Sequence, residues 1–247
     1  MPRKQNIDRI LADWPYDPET VNVRLTRGSD GRKLIQMRID MGLLQIETEG
    51  RPDGERPHSF QTYYDYLLSV EMTDADFELS DDQCMEVDRE FVQYYHRRIC
   101  WLALREFERA AADARHTLVM MDFCLLHSPD EQWTMSHEQY RPFVMFHRIQ
   151  AAALAHLDEE SAEGAIHEIN GGLEELRELF DEHEVGEMFE DNELVGKLLD
   201  LRESLRDHYN VGRTLQEQLA DAVAKEQYEL AAKLRDELAQ RDMHLGH

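Results

Sequence analysis

Residues 215–242 read LQEQLADAVAKEQYELAAKLRDELAQRD, and their pattern sets the structure of the C-terminal region. Apolar residues recur at helical spacing in two runs, which are Leu215, Leu219, Ala222 and Val223, then Leu230, Leu234 and Leu238. Lys225–Gln227 separates the runs, and Thr214 can cap the first helix. Ala231 and Ala232 are small enough to let two helices approach closely. The stretch therefore predicts a two-helix hairpin over residues 214–242.

This segment closely resembles the UVR motif, first recognised in the excision-repair proteins UvrB and UvrC. The matching residues are Glu226, Tyr228-Glu229, Ala231-Ala232 and Leu234-Arg235-Asp236. The resemblance implies a protein–protein interface, with another protein as partner, either a UVR-containing one or a second copy of the chain. The side chains expected to bind this partner are Leu215, Leu219, Tyr228, Leu230, Leu234, Arg235 and Leu238. In the alternative, the chain's own helices cover the hairpin and leave no free site.

The rest of the chain does not resemble UvrB, UvrC or the Clp-type ATPases that carry related motifs. A G-x-x-x-x-G-K-[ST] phosphate loop is absent from the sequence, so helicase and nuclease activities do not carry over. The layout is similar to that of bacterial proteins known only by this motif. We therefore expect a non-enzymatic adaptor without a cofactor, linked to nucleotide excision repair or protein quality control. The alternative is a regulatory subunit of a DNA-repair or chaperone–kinase complex.

The middle of the chain is predicted to be a helical bundle over residues 80–210. Ser80 with Gln83 forms a capping box, which starts a helix that runs to about Tyr95. Further helices are expected at 98–127, 136–156, 162–180 and 188–209. Two stretches within residues 90–180 resemble tetratricopeptide repeats. However, Arg97 and Arg98 occupy positions where such repeats have small or apolar residues, and generic helical hairpins explain the pattern equally well.

In the N-terminal part of the chain, apolar and polar residues alternate with a period of two. Val21, Val23 and Leu25 share one face, and alternation resumes after a glycine-containing turn at Arg27–Gly31 and continues to Ile46. This predicts a small antiparallel meander, with Phe60–Val70 as the helix that covers it. The fold class is therefore α+β and mostly α, with a module at 1–72, a bundle at 80–210 and a hairpin at 214–242.

The turn between the meander and the covering helix carries Arg51, Arg56 and His58 beside several aromatic residues. These three side chains are a candidate site for an anionic group or a peptide, and they form the basis of an alternative enzyme hypothesis. The competing interpretation is a charged turn neutralised by Asp53 and Glu55. Twelve histidines are present, but no HExxH motif occurs, and we expect no metal site.

Charge is distributed unevenly along the chain. Residues 1–70 carry 10 basic and 11 acidic side chains, whereas the remaining residues carry 17 and 41, a net of −24. Because nucleic-acid affinity depends on Lys and Arg displacing counterions, direct DNA or RNA binding is not expected. The N-terminus lacks an apolar signal region, no stretch is long and apolar enough for a membrane span, and cysteines are few. We therefore expect a cytoplasmic protein with reduced thiols that binds no membrane.

Overall fold

The computed structural model describes residues 6–74 and 76–245, without the side chains of Gln216, Ala220 and residues 238–245. The chain divides into two compact units, Met1–Ala155 and His156–His247, called here the N-terminal and C-terminal units. The boundary lies near the end of the helix Arg141–Asp158, inside the stretch that the sequence predicts as a single bundle.

The N-terminal unit contains a three-stranded sheet, six α-helices and a short 3-10 helix (Pro57–Ser59) among its described residues. Its elements are α1 (Asp8–Asp13), β1 (Val23–Arg27), β2 (Lys33–Ile39), β3 (Gly42–Glu47), α2 (Tyr63–Glu71), α3 (Asp81–Leu104), α4 (Phe107–His127), α5 (Glu131–Glu138) and α6 (Arg141–Asp158, ending beyond the unit boundary). The C-terminal unit contains α7 (Ala162–Glu182), α8 (Glu193–Tyr209), α9 (Leu215–Ala224) and α10 (Tyr228–Leu245). This confirms a mostly helical α+β fold with an N-terminal antiparallel sheet.

The sheet has the order β1-β2-β3 with both pairs antiparallel. Ile35 lies opposite Leu25 on one side and Ile46 on the other, so the alternating apolar residues share one face as predicted. Gly31 in the turn between β1 and β2 has a φ of 86°, which glycine adopts without the steric cost of a Cβ.

The helix that covers this sheet is not the predicted one. Ile35 and Ile46 pack in one core with Cys100 and Trp101 of α3, and with alanines of α4 and α6. In contrast, Tyr63 and Leu67 of α2 belong to a second core, formed with other residues of α3 and α4. The prediction that Phe60–Val70 covers the meander is therefore wrong, because the aromatic face of that segment is buried against helices.

α3 and α4 form a long helical hairpin. α3 runs without interruption through residues 95–98, where the sequence suggested a boundary, and ends at Arg105, which adopts the left-handed conformation with a φ of 61°. No glycine marks this stop, which is why the sequence pattern did not locate it. The capping box of Ser80 and Gln83 is confirmed. The tetratricopeptide interpretation of this region stays a prediction.

Charged side chains lie inside the N-terminal unit. Glu90 is fully buried and accepts hydrogen bonds from the backbone N–H groups of Tyr63 and Tyr64, at 2.7 and 3.2 Å. A carboxylate at this position stabilises the N-terminus of α2, where backbone N–H groups lack helical partners. Arg97 donates to the carbonyl oxygen of Gly50 at 2.7 Å, which connects α3 to the loop after β3.

The three cysteines, Cys84, Cys100 and Cys124, are free and buried, and all of them lie in the N-terminal unit. Burial raises the pKa of the Cys84 thiol to about 11, and the pKa values of the other two thiols to about 12. Among the described helices, none combines the length and the apolar character that crossing a membrane would need.

Candidate protein-interaction hairpin

α9 and α10 form the hairpin that the sequence predicts. The Thr214 hydroxyl accepts a hydrogen bond from the backbone N–H of Glu217, and the Glu217 carboxylate accepts one from the backbone N–H of Thr214, at 2.8 Å. This reciprocal capping box fixes the start of α9. In the connection, Glu226 adopts a left-handed conformation with a φ of 55°, which reverses the chain between the helices.

The carboxylate of Glu217 also joins the hairpin to α8. It forms an ion pair with Arg206 and lies 3.5 Å from a guanidinium nitrogen of Arg202. Burial alone would raise the pKa of Glu217, but the backbone hydrogen bond from Thr214 and the contact with Arg206 outweigh it, so the pKa is lowered. Glu217 is therefore held ionised by two elements at once.

The hairpin has a small core of its own. Ala222 of α9 faces Ala231 and Leu234 of α10, and these three side chains are at most 8% exposed. Leu215 and Leu219 are half-buried and pack against them. Leu234 was expected to face a partner, but at 6% exposure it lies inside the hairpin. The role of Ala231 in closing the hairpin agrees with its burial, whereas Ala232 is exposed.

Among the described side chains of the hairpin, three large apolar ones are open to solvent, namely Val223, Tyr228 and Leu230, with exposed fractions of 54%, 69% and 46%. Arg235 is also exposed and donates to the carboxylate of its neighbour Asp236 at 2.7 Å. The contact of Tyr228, Leu230 and Arg235 with a partner stays a prediction. The side chain of Leu238, which belongs to the same predicted set, lies outside the described residues.

The other predicted site residues, Arg51, Arg56 and His58, differ in burial and in their partners. Arg51 is 2% exposed and donates to Glu86 at 2.8 Å, with further carboxylates of Asp53 and Glu90 at 3.5 and 3.6 Å. Its charge is thus neutralised in the interior, which is different from the predicted role as an anion ligand. The sequence did not reveal this pairing, because Glu86 and Glu90 lie far along the chain from this turn.

Arg56 and His58 are exposed. Arg56 lines an open polar depression of about 610 Å³ that also contains Arg32 and Arg109, but these two arginines already pair with Glu47 and Glu49 at 3.0 Å. His58 instead stacks on the ring of Tyr66, with the ring centroids 3.8 Å apart. Arg51 and Arg56 therefore line the same depression, whereas His58 is not part of its lining. No group of three or more His, Cys, Asp or Glu suited to a metal ion occurs among the described residues.

Comparison with known proteins identifies the hairpin. Residues 212–240 match the family model of the UvrB/uvrC motif, which covers α9 and most of α10. No curated protein matches the chain as a whole or in part, and no solved structure does so either. The match thus extends over one segment of the chain, and it coincides with the hairpin whose exposed apolar residues are described above.

The sequence did not reveal two features of this site. Arg202 and Arg206 of α8 connect to Glu217, although their spacing in the sequence is typical of an exposed helix face. Arg202 also donates to the side-chain oxygen of Asn170 on α7, at 2.9 Å. Glu217 at the third position of α9 was the available signal in the sequence, since a capping-box carboxylate can also accept hydrogen bonds from arginines of a neighbouring helix.

Proposed function

We propose that this protein is a non-enzymatic adaptor that binds another protein through the α9–α10 hairpin. The observation that carries the proposal is the match of residues 212–240 to the UvrB/uvrC motif. The hairpin geometry supports it, because the motif residues form a discrete two-helix element with Tyr228 and Leu230 open to solvent. Tyrosine side chains are among the typical anchors of protein interfaces.

The size of the hairpin core favours the same role. Among the described side chains, only Ala222, Ala231 and Leu234 are buried in it. A two-helix element with so small a core gains little free energy from its own packing, so a partner that covers Val223 and Leu230 adds stability as well as affinity. The partner that we propose is a helical hairpin of the same kind, in another protein or in a second copy of this chain.

We further propose that this partner belongs to a complex of DNA repair or protein quality control in the cytoplasm. The net charge of −24 over residues 71–247 supports a contact with DNA that is indirect, made through the partner. A regulatory subunit of such a complex is the second form of the proposal, and it uses the same hairpin. The burial and pairing of Arg51 weigh against an enzyme with a site at the turn that follows β3.

The test is affinity purification of the tagged full-length protein from its native cells, with partners identified by mass spectrometry. The variant Leu230→Glu places a charge on the exposed face and leaves the buried residues of the hairpin intact. Leu126→Glu is the matched control, because Leu126 is an exposed leucine of α4, 79% accessible, far from the hairpin in the sequence. Sedimentation velocity of the purified proteins measures self-association in parallel.

We expect Leu230→Glu to lose a defined partner, or to shift a dimer to a monomer, while Leu126→Glu behaves as the wild type. A chain that ends at residue 212 should show the same loss. An identical partner set and oligomeric state in the wild type, in Leu230→Glu and in the truncated chain would overturn the adaptor role. Tight binding of the isolated protein to duplex DNA at physiological salt would contradict the charge argument.

A further inference from the structure

An elongated apolar cavity of about 720 Å³ lies in the N-terminal unit, among α3, α4, α5 and α6. The residues of α3 that line it are Asp88, Phe91, Val92, Tyr95 and Arg98, which recur on one face of the helix. With a rise of 1.5 Å per residue, Asp88 and Arg98 are separated by about 15 Å along α3. The cavity has the volume of a small-molecule site and an acidic and a basic residue at opposite ends.

Arg98 is the unusual member of this lining. Its side chain is 2% exposed, and its two hydrogen bonds go to neutral groups, the Thr117 hydroxyl at 3.1 Å and Nδ1 of His147 at 3.3 Å. Among the described residues, no carboxylate forms an ion pair with it. The nearby carboxylate of Asp113 is occupied on both oxygens by Arg97.

The charge on Arg98 is therefore buried without a counter-ion. Burial lowers the pKa of Arg98 to about 10, which still leaves the guanidinium protonated at neutral pH. His147 offers no negative charge and adds no second positive one, since burial and the charge of Arg98 lower its pKa to about 4 and keep it neutral. An isolated buried cation is costly, and an anion that reaches it from the cavity would relieve that cost.

The opposite end of the cavity has different chemistry. The carboxylate of Asp88 accepts a hydrogen bond from the indole N–H of Trp133 at 3.0 Å and lies 2.9 Å from Nε2 of His137. A second anionic group on a ligand would lie next to this carboxylate and be repelled. Between the two ends the wall is apolar, and the rim residues Val92 and Tyr140 are 56% and 58% exposed, so the cavity opens to solvent.

We propose that this cavity binds an elongated monocarboxylate with an apolar body, of the class of medium-chain fatty acids, with its carboxylate on Arg98. One guanidinium matches one carboxylate, and the apolar wall between Arg98 and Asp88 matches an aliphatic chain. Asp88 excludes a ligand that is charged at both ends. The site lies in the N-terminal unit and does not depend on the role of the hairpin.

The experiment is isothermal titration of the full-length protein with decanoate below its micellar concentration, compared with 1-decanol and with decanedioate. These two probes keep the chain length and either remove the charge or add a second one. Decanoate is expected to bind one molecule per chain, at least tenfold more tightly than either probe. Equal binding of decanoate and decanol, or no binding of decanoate at millimolar concentration, would overturn the proposal.

Two variants, Arg98→Met and Val92→Glu, test whether decanoate binds in this cavity. Arg98→Met should weaken decanoate binding at least tenfold and remove the preference over decanol, whereas Arg115→Met, at an exposed arginine of α4, should bind like the wild type. If Arg98 had only a structural role, Arg98→Met would lower the melting temperature. The proposed site predicts an unchanged or higher one, because a buried charge is removed. Val92→Glu, at an exposed rim position, should also weaken binding, and affinity that survives both changes would overturn the proposal.

Discussion

Arg97 of α3 and Asp113 of α4 form a two-point ion pair in the interior of the N-terminal unit, with both nitrogen–oxygen distances at 2.8 Å. Arg97 is 4% exposed and Asp113 is 5% exposed, so water screens this pair little. The same guanidinium donates to the backbone carbonyl of Gly50. One side chain therefore connects the two long helices to the loop that follows the sheet.

Removing one member of this ion pair should lower the stability of the fold. Asp113→Ala leaves the Arg97 charge buried without a partner, and we expect the free energy of unfolding to fall by about 3–5 kcal/mol. Urea denaturation followed by circular dichroism measures the change. Glu193→Ala is the control, because Glu193 forms an exposed pair with Lys197 at 2.7 Å, and that variant should unfold like the wild type. Equal stability of both variants would contradict the structural role of the buried pair.

The pKa of His147 predicts a pH dependence of stability. The unfolded chain binds a proton near the ordinary value of 6.5, whereas the folded chain binds it only near 4. Stability is therefore expected to fall as the pH drops from 6.5 towards 4, by about 3 kcal/mol from this residue. His147→Asn should remove that component, as measured by urea unfolding at several pH values. The same acid dependence in both proteins would show that His147 is not its source.

Glu217 should act on the hairpin through two separable contacts. Glu217→Gln keeps a side chain that a capping box accepts but loses the charge that pairs with Arg206. Glu217→Ala loses both contacts, so backbone amides in the first turn of α9 should exchange with solvent fastest in that variant. Hydrogen exchange followed by mass spectrometry measures this order. If Gln and Ala had the same effect, the capping box would contribute nothing beyond the ion pair.

Substitutions of Leu234 and of Leu230 should have different effects, although both residues belong to the predicted apolar run Leu230, Leu234 and Leu238. Leu234→Ala removes a buried side chain and should destabilise the hairpin by about 2–5 kcal/mol, so the amides of α10 lose protection. Leu230→Ala changes a half-exposed side chain and should cost only about 0.5 kcal/mol. Leu230→Ala is expected instead to weaken the binding of the partner. A folded α10 in Leu234→Ala would contradict the assignment of Leu234 to the core.

The sequence allowed the prediction of the strands and of the C-terminal hairpin, whereas the helices predicted at 98–127 and 136–156 have other bounds in the structure. The strand register follows from alternation, and Leu25, Ile35 and Ile46 lie in one row as that alternation requires. The hairpin was predictable because both its period and its capping box are local signals. These parts depend on residues close to one another in the chain.

Contacts between distant residues were not predictable in this way. Glu90 and Arg97 resemble solvent-facing residues in the sequence, but each is buried because its partner comes from another element. The covering helix was assigned wrongly for a similar reason. Periodicity shows that one face of a helix is apolar, but it does not show which surface that face packs against. Leu234 and Leu230 belong to the same apolar run of α10, and only the position of α9 shows which of them is buried.

The position of the cysteines has a practical consequence. All three thiols lie in the N-terminal unit, and residues 156–247 contain none. A thiol reacts as the thiolate, and burial holds each thiol protonated and away from solvent until the surrounding helices open. The rate of labelling by a thiol reagent therefore reports the opening of the N-terminal unit alone. The chain thus carries an internal probe with which the opening of the N-terminal unit can be timed without a signal from the C-terminal unit.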